Sequence, residues 1–359
     1  MLELDQYFLN GEINISNSDW KLIKQQYGKC EIVESLNDLV TRHSIELPKR
    51  EISIEKCKTD YRKLVDFDTS NLISYQKWWS KFDYEYPLSD IVIKRTTKCK
   101  DASNYFMQRS RHMVGSNKRL SIYRAWQDPE KRKKIFNSLF SMGRTHVNKA
   151  TILQSAECKY YLPSAFKPTA AKAIYDLFPS NKILDMCAGW GDRLVASCGK
   201  EYHGFDPNKN IYNSYYEIIS THNLNASVQC LAFEDSNIQS NYYDIMFTSP
   251  PYFRAELYSQ DAQQSCNRYP NINNWIDGFL FRSIDKTYDS LKTGGTMAIN
   301  ISDINLNKKR VEMCDIMNDY LKSKNMRYLG CYGLQLSKLP NTGKELDKIF
   351  AEPIWIWRK

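Results

Sequence analysis

The sequence contains no apolar run long enough to cross a bilayer, which argues against a membrane-spanning protein. Its ten cysteines are scattered from Cys30 to Cys331, none forms a Cys-x-x-Cys pair, and the five histidines do not cluster with them. This lack of paired ligands favours buried free thiols over a metal site. The N-terminal residues are acidic where those of a signal peptide are basic, so we expect a cytoplasmic protein.

A surplus of basic residues favours a polyanionic partner, since 50 Lys and Arg face 41 Asp and Glu, giving a net charge of +9. Between Lys94 and Lys134, thirteen residues are basic and three are acidic. One solvated helix face would explain this run. Aromatic rings alternate with the cations, however, and cations beside stacking rings are typical of nucleic-acid surfaces. The rings are Tyr105, Phe106, Tyr123 and Trp126, and the candidate substrate-binding residues are Arg109, Arg111, Lys118, Arg119 and Arg124.

The composition changes near residue 150, and we predict one domain on each side of it. Residues 1–150 are polar, basic and aromatic, and they are expected to form a mainly helical recognition domain. Its predicted helices are "NSDWKLIKQQYG", capped by Asn17 or Ser18, "LISYQKWWSKF", and "DPEKRKKIF", capped by Asp128 with Pro129 in the first turn.

Residues 151–359 alternate between helical patterns and short apolar strands, which predicts an α/β domain. The sheet is expected to be mostly parallel with helices on both faces, and its last strand to run antiparallel at the edge. The predicted strands are "KILDMC", "YHGFD", "ASVQCLA", "YDIMFTS", "GTMAINIS" and "EPIWIWR".

Carboxylates and glycines follow the first three of these strands, where ligands of such sheets bind. Asp185 precedes a turn with Gly189 and Gly191, and no Gly-Lys-Ser/Thr follows, so a triphosphate is not expected. An acid at this point would repel a pyrophosphate but suits the cationic methionine end of S-adenosylmethionine. Asp206 ends the second strand, where a carboxylate accepts both hydroxyls of a ribose. After the third strand, Glu234 or Asp235 could accept an adenine amine, a helix cap being the alternative.

The fourth strand ends in "TSPPYF", and the ordered set "DMCAGWG", "GFDP", "FED", "TSPPYF" resembles the class I S-adenosylmethionine-dependent methyltransferases. Within that class it is similar to the amino-methyltransferases of nucleic acids, whose signature is Asp/Asn/Ser-Pro-Pro-Tyr/Phe/Trp. The resemblance covers roughly residues 160–359 and implies a Rossmann-like, seven-stranded fold with S-adenosylmethionine as cofactor. The cofactor-binding residues it implies are Phe166, Asp185, Cys187, Ala188, Gly189, Gly191, Asp206, Pro207, Glu234, Asp235 and Thr248.

The resemblance also assigns the catalytic roles, to Ser249, Pro250, Pro251 and Tyr252. An exocyclic base amine is a poor nucleophile, and acceptors for its hydrogens help it to attack a sulfonium methyl. The Ser249 hydroxyl and the Pro250 carbonyl would be those acceptors, with directions set by the prolines. Tyr252 would stack on the extruded base, with Phe253 nearby. A rigid turn after an edge strand is the structural alternative for this segment.

The sequence is compatible with several functions. Ser249 resembles the cytosine-N4 enzymes more than the adenine-N6 enzymes, so DNA methylation at N4 of cytosine is favoured over N6 of adenine. The cytosine-carbon enzymes use a Pro-Cys nucleophile, which the sequence lacks. The remaining alternatives are an RNA base amino-methyltransferase, a protein glutamine methyltransferase and a non-catalytic nucleic-acid-binding protein.

Overall fold

The computed structural model describes residues 2–116, 119–255, 257–258, 260–336 and 348–359. The helices are α1 (Asn17–Gln26), α2 (Lys29–Arg42), α3 (Ile54–Val65), α4 (Asp101–Met113), α5 (Ile122–Gln127), α6 (Pro129–Ser141), α7 (Lys149–Lys159), α8 (Pro168–Leu177), α9 (Asp192–Val195), α10 (Tyr212–His222), α11 (Ser265–Arg268), α12 (Ile272–Trp275), α13 (Arg282–Ser290) and α14 (Met313–Ser323). The strands are β1 (Phe8–Leu9), β2 (Glu12–Ile13), β3 (Ile73–Tyr75), β4 (Trp78–Trp79), β5 (Leu88–Ile93), β6 (Lys182–Asp185), β7 (Glu201–Phe205), β8 (Ala226–Gln229), β9 (Tyr243–Thr248), β10 (Leu291–Asn300), β11 (Ile304–Leu306), β12 (Lys309–Val311), β13 (Arg327–Gln335) and β14 (Ile349–Arg358). None of these helices combines the length and the apolar character that crossing a bilayer requires.

The chain divides into two compact units, and the division differs from the predicted boundary at residue 150. The first unit comprises Met1–Ile52 and Gln108–Ser164, and the second comprises Ser53–Met107 and Ala165–Lys359. Residues 53–107 therefore belong with the α/β unit, because β3 and β5 extend its sheet. The basic run from Lys94 to Lys134 is in turn shared between the two units.

The first unit is a helical assembly around one apolar core. Ser16, rather than Asn17 or Ser18, caps α1 by accepting a hydrogen bond from the Asp19 amide. Asp128 caps α6 with Pro129 in its first turn, as predicted. The core of this unit includes Trp20, Leu36, Leu39, Trp126 and Phe136.

Part of the basic run serves the fold of this unit. Arg132 is buried, and its guanidinium donates to Asn37 Oδ1 at 2.8 Å and to the Trp126 carbonyl at 2.9 Å. Trp126 is 1% exposed, so its ring is part of the core and not available for base stacking, contrary to the prediction. Burial of an arginine with its donors satisfied is a structural role.

The second unit contains a sheet with the order β3-β5-β13-β14-β10-β9-β6-β7-β8, with β4 beside β14. Strands β8, β7, β6, β9 and β10 are mutually parallel and follow the doubly wound order 3-2-1-4-5. The antiparallel β14 is inserted between β10 and β13. This arrangement confirms the predicted Rossmann-like class I methyltransferase fold.

Two details of the sheet differ from the predictions. The last strand, β14, is antiparallel as expected but lies inside the sheet, not at its edge. The described sheet has ten strands instead of seven, because β3, β4 and β5 come from residues N-terminal to the predicted catalytic domain. An interior position suits β14, whose residues 353–357 are buried.

The segment "LISYQKWWSKF", predicted as a helix, instead contains β3 and β4. Trp78 is 5% exposed and its indole nitrogen donates to the Ser89 carbonyl at 2.7 Å. Its ring occupies the space over Gly333, where an added Cβ would approach Trp78 Cδ2 to 2.7 Å. Tertiary packing of this ring therefore overrides the local helical pattern.

Candidate active site

The carboxyl ends of the parallel strands bring the predicted residues to one edge of the sheet. Asp185 of β6 lies opposite Gly204 of β7, and Leu184 of β6 opposite Met246 of β9. Parallel strands in register end side by side, so the segments that follow β6, β7, β8 and β9 are neighbours. This is the edge at which open α/β sheets bind ligands.

The glycine turn after β6 is held tightly against its surroundings. Gly189 and Gly191 have φ values of +60° and +75°, a region that strongly favours glycine. The Gly189 amide donates to Asp206 Oδ2 at 3.0 Å, and the Tyr215 hydroxyl donates to the Gly189 carbonyl. A Cβ added at Gly191 would lie 2.7 Å from Cδ1 of Ile218, so this glycine is required for packing against α10.

Asp206 is placed to bind a ligand through its carboxylate. It is half-buried and accepts hydrogen bonds from the Gly189 amide and, at 3.0 Å, from the Asn208 amide. Desolvation raises the pKa of its carboxyl to about 6, although the amides act in the opposite direction. The Tyr215 side chain is a further hydrogen-bond partner of this carboxylate, and with its four lone-pair sites the carboxylate still has acceptor capacity for a ribose hydroxyl.

Asp185 has a different role from the one predicted. It is fully buried, and its oxygens accept from Arg193 Nε and the Tyr202 hydroxyl, both at 2.7 Å, and from the Cys187 amide at 3.2 Å. A carboxylate already neutralised by a guanidinium is a poor direct partner for a cationic ligand. Asp185 therefore holds Arg193 in place at the turn instead of contacting a cationic ligand directly.

Arg193 connects several of the predicted cofactor residues. Its guanidinium donates to the Cys187 carbonyl and lies 5.7 Å from the centroid of the Phe166 ring. Phe166 is half-buried and meets the edge of Phe247 at 5.4 Å between centroids. Burial raises the pKa of the Cys187 thiol well above its ordinary value, so this cysteine is not activated as a nucleophile.

Three other predicted cofactor residues lie on the same edge. Ala188 is buried and its amide donates to the Phe205 carbonyl at 2.8 Å, while Pro207 is half-buried after Asp206. Thr248 is fully buried, and its hydroxyl has no hydrogen-bond partner among the described residues. A buried hydroxyl without a partner is costly, and a ligand that reached it would remove that cost.

The two acidic residues after β8 share one partner. Arg268 donates to both carboxylate oxygens of Asp235 and, at 3.3 Å, to Glu234 Oε1. This pairing lowers the pKa of the Asp235 carboxyl, whereas burial raises that of Glu234, which is 1% exposed. Glu234 is thus enclosed by protein and Asp235 faces solvent, and either retains acceptor capacity for an adenine amine.

The residues after β9 form a hydrogen-bonded cluster with the ends of β10 and β14. The Ser249 hydroxyl donates to Asn300 Oδ1 at 3.2 Å, and the Tyr252 hydroxyl donates to the Asn300 carbonyl at 3.3 Å. Pro250 is buried, Pro251 is half-buried, and both peptide bonds are trans. Two prolines and two hydrogen bonds hold this segment in one conformation.

Phe253 does not have the predicted substrate-binding role. It is 2% exposed, has a φ of +49°, and its ring packs 6.0 Å from that of Trp275 in the core of the second unit. Phe253 is therefore part of the core, whereas Tyr252 is half-buried and packs against the margin of that core.

The predicted substrate-binding cations belong to the first unit. Arg109, Arg119 and Arg124 are exposed, and Arg119 donates to the Tyr160 carbonyl at 2.9 Å. Arg111 is half-buried and donates to the Pro163 carbonyl at 2.8 Å, so part of its hydrogen-bonding capacity stabilises the fold. Lys118 lies outside the described residues.

Four residues of the site were not identified from the sequence: Arg193, Tyr215, Asn300 and Glu352. Asn300 is a polar residue at the end of an apolar strand, which is the same signal that identified Asp185 and Asp206. Glu352 precedes the apolar run of β14, and only the antiparallel direction of that strand brings it to this edge. The residues that neighbour Glu352 in the sequence therefore do not predict its position in the site.

Comparisons with known proteins found similar chains among solved structures alone. No protein-family model matches the chain, and no curated protein matches it. Among solved structures, TehB from Haemophilus influenzae is 16% identical with a TM-score of 0.34, over 53% of this chain and 61% of TehB. A methyltransferase from Pyrococcus furiosus is 12% identical with a TM-score of 0.38, over 55% of this chain and 87% of that one. The tRNA (m1A58) methyltransferase TrmI from Aquifex aeolicus is 12% identical with a TM-score of 0.33, over 56% of this chain and 77% of that one.

Proposed function

We propose that the protein is an S-adenosylmethionine-dependent methyltransferase that modifies an exocyclic amine of a DNA base, N4 of cytosine in preference to N6 of adenine. The observation that carries this proposal is the placement of Ser249 and Tyr252 directly after β9, on the same sheet edge as the glycine turn and Asp206. The parallel strands follow the doubly wound order 3-2-1-4-5, and sheets of this order bind their ligands at the carboxyl ends of the strands.

The residues at this edge fit the proposed cofactor. Asp206 keeps acceptor capacity for a ribose hydroxyl, and the buried Thr248 hydroxyl, which has no hydrogen-bond partner among the described residues, would gain one from a ligand that reached it. Glu234 or Asp235 would accept the adenine amine, and Phe166 lies beside the turn. When bound, S-adenosylmethionine supplies an electrophilic methyl group on a sulfonium sulfur.

The segment after β9 would hold the base. The Ser249 oxygen and the Pro250 carbonyl accept the two hydrogens of the amine, which helps its nitrogen to become tetrahedral. The Tyr252 ring, fixed through its hydroxyl to Asn300, offers a stacking surface for an extruded base. Ser249 and Pro250 would hold the amine while its nitrogen gains the methyl group that bound S-adenosylmethionine would supply, and the methylated nitrogen would lose one proton to solvent.

DNA as the substrate is supported by charge. The net charge of +9 and the exposed Arg109, Arg119 and Arg124 favour a phosphate backbone as partner. The same cations would bind RNA, so the experiment includes both nucleic acids. A protein substrate would not explain the exposed Arg109 and Arg124.

Transfer of tritiated methyl groups to pools of unmethylated DNA, tRNA, ribosomal RNA and protein tests the proposal. We expect label in DNA and N4-methylcytosine after nucleoside mass spectrometry. Label confined to protein would refute the proposal, and label confined to RNA would refute its DNA assignment. Calorimetric titration with S-adenosylmethionine gives an independent reading, because a protein that bound DNA without binding the cofactor would be a non-catalytic binder.

Two variants then test the assigned roles. Ser249→Ala removes an acceptor and Tyr252→Ala removes the stacking ring, and each is expected to lower kcat by ~10²-fold or more. Both should bind S-adenosylmethionine with unchanged affinity, because neither residue is placed on the cofactor. Normal transfer by Tyr252→Ala would contradict the stacking role.

A further inference from the structure

The orientation of one buried amide side chain determines what the Ser249 hydroxyl can offer a substrate. Asn300 is 2% exposed at the end of β10, and both polar atoms of its side chain are hydrogen-bonded. Its Nδ2 donates to the Pro353 carbonyl at 2.9 Å, and its Oδ1 accepts from Ser249 Oγ at 3.2 Å.

These partners permit one arrangement of the amide. A backbone carbonyl only accepts hydrogen bonds, so the NH₂ group of Asn300 must face Pro353. Glu352 Oε2, at 3.5 Å from the same Nδ2, is a second group for which only this orientation is favourable. The Oδ1 atom therefore faces Ser249, and because it can only accept, the single hydroxyl hydrogen of Ser249 is directed at it.

We propose that Asn300 is a positioning residue that makes Ser249 a pure acceptor toward the substrate. With its hydrogen engaged by Asn300, the Ser249 oxygen has only lone pairs left for the group being methylated. A group that carries N–H donors matches those lone pairs, whereas a ring nitrogen with only a lone pair of its own is repelled. The site thus selects primary exocyclic amines over unprotonated ring nitrogens.

Glu352 and Tyr252 complete the arrangement around Asn300. The Tyr252 hydroxyl lies 3.3 Å from the Asn300 backbone carbonyl and also neighbours the Glu352 carboxyl, so its one hydrogen is shared between two acceptors, while Asn300 Nδ2 lies 3.5 Å from Glu352 Oε2. Burial raises the pKa of Glu352, while these hydrogen bonds and the charge of Arg95 lower it. The amide is thus surrounded by groups that keep it from rotating, which is how a second layer of contacts normally supports a reacting group.

This inference rests on the proposed function, and a double-mutant cycle separates the two. Initial rates of methyl transfer from S-adenosylmethionine to unmethylated DNA are measured for wild type, Asn300→Ala, Ser249→Ala and the double variant. Asn300→Ala should lower kcat by about tenfold, the equivalent of one lost hydrogen bond, without changing cofactor affinity. If Asn300 acts through Ser249, the double variant should be no slower than Ser249→Ala alone.

The matched control is Asn318→Ala on α14. Asn318 is also fully buried and its Oδ1 accepts from the Trp357 indole at 3.0 Å, and no hydrogen bond described in the structure joins it to Ser249. The fold-decreases in kcat caused by Asn318→Ala and by Ser249→Ala should therefore multiply in the double variant. Calorimetric titration of Asn300→Ala with S-adenosylmethionine guards against a variant that fails to fold, because an unfolded variant would not bind the cofactor.

The outcomes distinguish the two proposals. Multiplicative effects of Asn300→Ala and Ser249→Ala, with active wild type, would overturn the role of Asn300 and leave the proposed function standing. Methylation of a ring nitrogen instead of an exocyclic amine would overturn the selection of N–H donors while retaining a methyltransferase. Absence of methyl transfer to every nucleic acid and protein pool would refute both the proposed function and the role of Asn300.

Discussion

The half-buried carboxyl of Asp206 predicts a pH dependence of cofactor binding. Its pKa is raised to about 6 by desolvation, and we expect the ribose to bind the ionised carboxylate, which is a much stronger hydrogen-bond acceptor than the neutral carboxyl. A carboxyl with this pKa is about nine tenths ionised at pH 7 and about one tenth ionised at pH 5. The affinity for S-adenosylmethionine should therefore fall about tenfold between these pH values.

Calorimetric titration of the cofactor into the protein between pH 5 and pH 8 measures this effect. Asp206→Asn should bind more weakly at pH 7 and lose most of the pH dependence, because an amide does not titrate in this range. Asp244→Asn is the matched control, since Asp244 is a half-buried carboxylate paired with Lys292 outside the site. An equal slope in wild type and Asp206→Asn would refute the assignment of Asp206 to the ribose.

The stability of the unliganded protein should respond to the same group in the opposite direction. The folded-state pKa of Asp206 lies above its unfolded value of 3.8, so the folded state binds the proton more tightly between about pH 4 and pH 6. Its contribution to the free energy of unfolding therefore decreases as the pH rises through this window. Cofactor binding and intrinsic stability are thus separable by pH.

Two further predictions concern the glycine turn. Arg193→Met leaves the buried Asp185 carboxylate without its cation and should lower the free energy of unfolding by about 3–5 kcal/mol, measured by urea denaturation. The surface variant Lys292→Met should cost under about 1 kcal/mol, and a similar loss for both would contradict the argument. Gly191→Ala should cost more than Gly199→Ala, because both have positive φ but only the Cβ at position 191 meets a neighbour, 2.7 Å away. Equal losses would show that the contact with α10 is absorbed without strain.

Much of the α/β unit was predictable because its elements are specified locally. The strands "KILD", "YHGF" and "YDIMFT" are short apolar runs that end in turn or polar residues, and the structure places β6, β7 and β9 on them. Their carboxyl ends must meet in a parallel sheet, so Gly189, Asp206 and Ser249 could be assigned to one edge from their spacing alone.

The failed predictions share a physical cause, which is that burial depends on contacts distant in sequence. Phe253 and Trp126 look available for stacking until Trp275 and the helical core of the first unit cover them. Asp185 looks like a ligand contact until Arg193 and Tyr202 occupy its oxygens. The segment around Trp78 looks helical until its ring is buried over Gly333.

The sequence by itself determined the class of sheet, the glycine turn and the motif that ends β9, because each is encoded in consecutive residues. Only the tertiary structure decided that β14 runs inside the sheet. Its antiparallel direction places Glu352 and Pro353 at the carboxyl ends of the parallel strands, beside the candidate site. The tertiary structure also decided that Asn300 reaches both Pro353 and Ser249. The direction of the Ser249 hydrogen bond depends on Asn300, 51 residues away in sequence, and on Pro353, 53 residues beyond Asn300. A pattern in consecutive residues does not show that such distant residues meet.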